Sequence, residues 1–308
     1  MLNLQAIRDI SAETGIRPGF IEKDWYAVQL LARLSSFQNS KGVSLIFSGG
    51  TSLSKGHGVI RRFSEDLDFI LVSSSDISVG QRRALRQEIL AHVIADDRFR
   101  VEDANVVRGD SHRFFKAPIL YDIAFPDASL RPYLQLEMTF SENRMPANHC
   151  VIRSIVSEVS DAEPEAGISC ISPVETAADK LSALTWRVLV RDRSNPNDDP
   201  TIVRHLHDLA ALEPMIVKSP HEFRKVSQDS MFQDRLRRGG EAISSLPNAD
   251  RLTGALEKMK QDSLYRDEYE RFVTAMSYAD DDDRIHFDDA CSALERIVTV
   301  YYSSKEQI

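Results

Sequence analysis

At 308 residues the chain is about twice a typical single domain. Its 42% hydrophobic and 28% charged residues exclude a disordered or fibrous polymer. Lys and Arg number 38 against 47 Asp and Glu, a formal charge of −9 that excludes nucleic-acid binding by the surface as a whole, though not by a local basic groove. No apolar run approaches the ~18 residues that span a bilayer, and MLNLQAIRDISAETG carries charges where a signal peptide is apolar. Three cysteines, Cys150, Cys170 and Cys291, are widely spaced and form no CxxC, so neither a disulfide framework nor a zinc knuckle is expected. These readings predict a cytoplasmic chain with no membrane partner.

The first 40 residues read as helical, with Ile21, Trp25, Val28, Leu31 and Leu34 spaced by three and four. Val43 to Phe47 predicts a short strand entering a Gly-Gly turn, and Asp66 to Val72 a second strand. A helix is predicted around Gln81 to Ala95, then β-rich stretches over Phe114–Phe125, Tyr133–Phe140 and Val151–Val159. Beyond the connector Asp161–Pro173 the strand signals stop, and the remainder reads as helices broken at Ser194–Pro200, Glu213–Pro220, Gly239-Gly240 and Asp280–Asp283. The acidic run Asp280–Asp283 with Asp288-Asp289 lacks the Gly and Glu of a calcium loop and reads as a solvated loop. His205 and His207 lie about 200° apart on a helix and cannot share one metal; they read as surface or packing histidines. Basic clusters such as Arg82-Arg83-Arg86 and Arg235-Arg237-Arg238 read as solvated faces.

Chemistry concentrates in FSGGTSLSKGHGVIRRFSEDLDFILV, Phe47–Val72. Gly49 and Gly50 let the backbone turn sharply and approach a ligand. Thr51 or Ser52 is expected to cap a following helix whose free N–H groups suit phosphate oxygens, with Lys55 one turn in as an added positive charge. The spelling is not a P-loop, because GxxxxGK[ST] is absent. On a strand, Asp66 and Asp68 point to one face with Cα atoms roughly 6.5–7 Å apart. Such a pair can share hard cations, and metals ~3.5–4 Å apart suit in-line phosphoryl displacement. Leu67, Phe69 and Leu71 take the core face.

The strand–GG–helix unit followed by DxD resembles the nucleotidyltransferase superfamily related to DNA polymerase β. That superfamily usually adds a third carboxylate from a later strand, for which Glu137 in YLQLEMTF is the candidate; its alternation equally fits a half-exposed strand. GGTSLSK (Gly49–Lys55) with RFSEDLD (Arg62–Asp68) looks like the AbiEii/AbiGii toxin family, which includes the mycobacterial MenT enzymes. ETAADKLSALTWR (Glu175–Arg187) is similar to the family's third motif, with a lysine at Lys180. RHLHDLAAL (Arg204–Leu212) is similar to its fourth, with an aspartate at Asp208, although His207 stands where the family usually has Arg. IEKDW (Ile21–Trp25) resembles a further common segment.

The resemblance implies an α+β protein. A nucleotidyltransferase domain with N-terminal helices and a mixed sheet would occupy residues 1–165, and a helical bundle residues 166–308, bilobed with a cleft between. It implies a toxin of a bacterial toxin–antitoxin or phage-defence pair, checked by a separately encoded antitoxin. The toxin would use Mg²⁺ (or Mn²⁺) to transfer NMP from an NTP substrate to an acceptor, with the tRNA 3′ end as the expected one. Asp66 and Asp68 would hold metal and Glu137 orient or deprotonate the acceptor. Gly49, Gly50, Thr51 and Lys55 would position phosphates. On a helix from Val174 to Arg191, the stripe Ala177, Leu181, Leu184 and Val188 is expected to be buried. Beside it Lys180, Arg187 and Arg191 fall within about 20° of one line. That row either snorkels over the core or reaches the triphosphate. Two alternatives stay open: an NTP-binding regulator or toxin without transfer, and transfer to a protein or small-molecule hydroxyl such as an aminoglycoside. Ser64, two residues before Asp66, is a candidate switch because a phosphate there would add about −1.5 to −2 charges beside two carboxylates.

Overall fold

Alternating apolar residues set the strands, and the computed structural model describes residues 2–234, 243, 245–279 and 283–303. It divides into two units, residues 1–58 with 63–171 and residues 59–62 with 172–308. The basic run Arg235-Arg237-Arg238, Gly239-Gly240 and Asp280–Asp282 lie outside the described residues.

The first unit holds a seven-stranded mixed sheet in the order β3-β4-β5-β2-β1-β7-β6. Its strands are β1 Val43–Ser48, β2 Asp66–Ser73, β3 Val107–Gly109, β4 Phe114–Ile119, β5 Leu134–Phe140, β6 Asn148–Ile152 and β7 Ala166–Cys170. β2 runs antiparallel to β1 and parallel to β5, so the DxD strand sits mid-sheet. Leu67, Phe69 and Leu71 are buried as their alternation predicts, in one core with Phe47, Leu136, Met138 and the helix residues Leu30, Leu31, Leu85 and Ile89. Helix Leu4–Thr14 stops at Gly15, whose φ of 72° is the left-handed conformation that ends helices cheaply only in glycine. Pro18 then opens helix Pro18–Ser35.

Three sequence expectations are corrected. The stretch Phe114–Phe125 is strand only to Ile119, because the Ala124 and Phe125 amides donate to the Glu22 carboxylate at 2.9 Å instead of to a ladder. In Val151–Val159 the strand ends at Ile152; Ser154 caps a helix over Ile155–Val159 by accepting from the Ser157 amide. The presumed connector carries β7, a short strand with a glycine in it that pairs antiparallel with β6 and parallel with β1.

The second unit is helical. Helix Pro173–Val190 packs against helices Arg204–Lys218, Pro220–Asp234 and Asn248–Gln261. Ala177, Leu181, Leu184 and Val188 are buried as expected. Within the acidic run, Asp283 pairs with Arg61 at 2.8 Å and Asp288 with Arg266. No helix among the described residues is long and apolar enough to cross a membrane.

Candidate active site

Strand register assembles a polar row across the first unit's sheet. Asp68 of β2 faces Glu137 of β5, Glu137 faces Lys116 of β4, and on the other side Asp68 faces Ser48 of β1. Side chains of paired residues share a face. One register step away, Asp66 lies beside Gln135. Asp66, Asp68 and Glu137 are all half-buried on this face.

The glycine bend abuts this row. Gly49 follows Ser48 with φ at +73°, and a Cβ built on it would meet Asp68 Oδ2 at 2.0 Å. Only glycine satisfies both the left-handed backbone and the close approach. The expected cap is corrected: Ser48, not Thr51 or Ser52, is the extended residue before a single helical turn Gly49–Thr51, which runs into a π-helical turn Ser52–Gly56. Thr51 is buried, and its hydroxyl donates to the Asp66 carbonyl at 2.5 Å, pinning the turn to the first residue of β2. Ser52 donates to the Gly49 carbonyl at 3.0 Å. Gly50 is buried in the turn.

Cations lie against the carboxylates. The Arg131 guanidinium donates to Asp66 Oδ1 at 2.8 Å, and Lys116 Nζ lies 3.1 Å from Glu137 Oε1. Burial works against the charge on Arg131, but Asp66 and Glu65 outweigh it and raise the pKa above its ordinary value. Glu65 also accepts from the Arg131 amide and from Lys23, whose ammonium reaches the Arg131 carbonyl at 2.6 Å. Gln135 is 2% exposed and its amide nitrogen has no hydrogen-bond partner, an orphaned donor next to Asp66. Carboxylate oxygens suit a hard divalent ion; of the three carboxylates on this face, Asp66 and Glu137 are held by Arg131 and Lys116, and the three do not converge as a ready ligand group. Ser64 is half-buried just ahead of β2.

Lys55, expected to add positive charge at the turn, lies among carboxylates of neighbouring helices. Its ammonium lies 2.7 Å from Asp24 and 3.7 Å from Glu158, and donates to the Arg153 carbonyl at 3.3 Å, with the side chain 8% exposed. Asp24 also accepts from the Ile155 amide at 2.7 Å. The charged run Glu22-Lys23-Asp24 is therefore a buried brace: Glu22 holds residues 124–125, Lys23 holds Glu65, and Asp24 holds Lys55 and a helix start.

In the second unit Asp208 is fully buried. Arg62 grips it through two bonds of 2.7 and 2.6 Å, and Lys180 Nζ lies 2.7 Å from Oδ2. Burial would raise the Asp208 pKa, but Arg62 and then Lys180 overcome it and hold the carboxyl well below the usual carboxylate range. Burial pulls the Lys180 amine below its ordinary value against the opposing pull of Asp208. Arg187 lies 3.3 Å from Asp199, and Arg191 pairs with Asp198 and Glu268 at 2.7 Å. His207 is a packing histidine, with ring centroids 6.3 Å from Tyr269 and 6.2 Å from Phe272.

Sequence reasoning missed Arg131, Lys116, Glu65, Lys23 and Arg62. Lys116 had a signal, since FFKAPI alternates and puts it opposite the buried Phe115, Ala117 and Ile119. Arg131 and Arg62 are placed by tertiary contacts that no local pattern encodes.

Comparison with known proteins gives the family and the fold. The sequence model of the family "Nucleotidyl transferase AbiEii toxin, Type IV TA system" matches residues 29–296. The fold is similar to that of MenT4, a nucleotidyltransferase toxin from Mycobacterium tuberculosis H37Rv, with a TM-score of 0.52 and 16% identity, covering 98% of this chain and 99% of that one. No curated protein sequence matches the chain. With its family match running almost from end to end, over a sheet whose glycine bend closes on an aspartate pair, the chain belongs to the AbiEii family of toxin nucleotidyltransferases.

Proposed function

We propose that the chain is a cytoplasmic, Mg²⁺- or Mn²⁺-dependent enzyme that transfers a nucleoside monophosphate from an NTP to the 3′ hydroxyl of a tRNA, and that a separate antitoxin chain restrains it. The observation that carries the reading is the close approach of Gly49 to Asp68, because it puts a backbone bend with no side chain against a carboxylate that Glu137 neighbours across the sheet. The acceptor oxygen bonds to the α-phosphorus, the bond from that phosphorus to the bridging oxygen breaks, and pyrophosphate leaves with the electron pair. Asp66 and Asp68 would hold the metal, which when bound supplies positive charge to the phosphate oxygens. Glu137 would orient the acceptor hydroxyl and take its proton. Positioning and electrostatic stabilisation carry most of the rate in such transfers.

Gly49, Gly50 and Thr51 would shape the phosphate turn. The burial of Lys55 against Asp24 supports a bracing role for it behind that turn. Lys180 is the candidate cation for the departing pyrophosphate and Asp208 the residue that positions it, with Arg187 a further phosphate partner. The sheet-bearing unit would be the nucleotidyltransferase domain proper. Ser64 lies close enough in sequence to Asp66 that a phosphate on it would repel NTP; Ser64→Glu is expected to reduce transfer while leaving thermal stability unchanged, and activity equal to wild type would remove the switch.

The test is incubation of the protein with Mg²⁺, each labelled NTP and total tRNA. Label on tRNA that is lost in Asp66→Ala supports the proposal. Label on a protein or a small hydroxyl compound moves the acceptor, and NTP binding without any label transfer overturns the transferase reading.

A further inference from the structure

Away from the carboxylate row, the same unit gathers two sulfurs and an imidazole. Cys150 of β6 and Cys170 of β7 lie on one sheet face, because Asn148 pairs with Cys170 and Cys150 with Ile168. His57 follows the π-helical turn. Its Nε2 lies 2.9 Å from the Ile171 carbonyl, which only accepts, so Nε2 carries the proton and Nδ1 presents a lone pair. That Nδ1 lies 3.7 Å from Cys150 Sγ, and all three ligand atoms lie within 4.8 Å of one another. Both cysteines are buried, at 7% and 0% exposure. Gly56 closes the cluster: a Cβ there would meet Cys170 Sγ at 2.7 Å and Cys150 Sγ at 3.6 Å.

We propose that His57, Cys150 and Cys170 form a binding site for one thiophilic cation of the zinc(II) class, distinct from the site for the hard ion at Asp66 and Asp68. The donor set is one imidazole nitrogen and two sulfurs with no oxygen, which selects zinc or copper(I) over magnesium or calcium. Contacts of about 3.3–3.9 Å between ligand atoms follow from metal–ligand bonds of about 2.0–2.3 Å at tetrahedral angles, so the 3.7 Å sulfur–nitrogen contact needs no rearrangement. The hydrogen bond from Nε2 to a backbone carbonyl is the usual second contact of a metal-binding histidine, fixing tautomer and ring orientation. Charge balance suits the burial. Two thiols lose their protons to solvent, His57 keeps the proton on Nε2, and the two thiolates neutralise a divalent cation, leaving no net charge in an apolar setting.

Such an ion would tie the end of the glycine-bend segment to β6 and β7, where β7 pairs with β1 directly at Phe47 and Cys170. It would act as a staple behind the bend, apart from phosphate chemistry.

The test titrates the full-length, metal-stripped, reduced protein with Co²⁺ and follows thiolate-to-cobalt charge-transfer absorption. One equivalent should saturate the band, Zn²⁺ should abolish it by displacement, and Mg²⁺ should leave it unchanged. Cys150→Ser, Cys170→Ser and His57→Gln should each lose the saturable band, whereas Cys291→Ser should retain it. Should the first three fail to fold, native mass spectrometry of the wild type decides: the expected mass increase is one zinc less two protons. Absence of the band at one equivalent, a band that survives both serine variants, or a wild-type mass two protons low with no metal, which marks a Cys150–Cys170 disulfide, overturns the site. None of these readouts depends on nucleotidyl transfer, so failure here leaves the transferase reading standing and the reverse also holds.

Discussion

Two sets of charged side chains illustrate opposite uses of a carboxylate. In the sheet unit, Asp66 and Glu137 are 40% and 28% exposed and are met by Arg131 and Lys116, themselves 33% and 40% exposed. In the helical unit, Asp208 has no exposure and is clamped by Arg62 and Lys180, each under 10% exposed. Solvent-screened pairs are worth little and can exchange partners, whereas a sealed pair is costly to break. The first set can therefore exchange partners where solvent reaches it, whereas the second holds Lys180 in a fixed position.

That contrast can be broken by substitution. Asp68→Asn should cut nucleotidyl transfer on the order of 10³-fold, as loss of a principal electrostatic element does, with the melting temperature unchanged. Label transfer and calorimetry on the same preparation check this; a large loss of stability would erase the distinction.

Asp208→Ala should lower stability as well as transfer, costing about 3–5 kcal/mol in denaturant unfolding. Its pH signature has a defined sign. Because the folded pKa is depressed, its contribution is complete above the unfolded value of about 3.9 and is lost as pH falls through the folded value. Wild-type stability should thus drop between about pH 5 and pH 2 more steeply than that of Asp208→Asn. Parallel curves would mean the carboxylate is not held by its two cations.

Gly49→Ala tests the bend. The new methyl group overlaps the Asp68 carboxylate and the backbone is left-handed, so displacing that carboxylate by about 1 Å should cost on the order of 10²-fold in transfer. Stability should fall by about 1–3 kcal/mol. The smallest effect is expected for Arg131→Ala, which removes a competitor for Asp66 and should lower the Mn²⁺ concentration for half-maximal activity by up to about fivefold. An increase instead would make Arg131 a helper of metal binding.

Much of the sheet site was legible because strands impose a period of two. Asp66 and Asp68 against Leu67, Phe69 and Leu71, and Glu137 against Leu136 and Met138, needed only alternation. The fate of Lys55 was not legible, since its partner Asp24 comes from a helix far upstream and looks like a surface residue between Lys23 and Trp25. β7 was hidden by its shortness and by Gly167. The sulfur–imidazole cluster was hidden by separation, with His57 and Cys150 93 residues apart and meeting only because β6 and β7 extend the sheet past β1.

Successive residues on a helix point about 100° apart, so Glu22, Lys23 and Asp24 together sweep some 200° of the circumference of helix Pro18–Ser35. All three are buried and each fastens a different piece of chain, so this helix is enveloped and cannot peel away while the sheet persists. Its amides should rank among the slowest to exchange with deuterium, and a truncation that begins after Ser35 should yield no soluble protein, although it leaves Asp66, Asp68 and Glu137 in the chain.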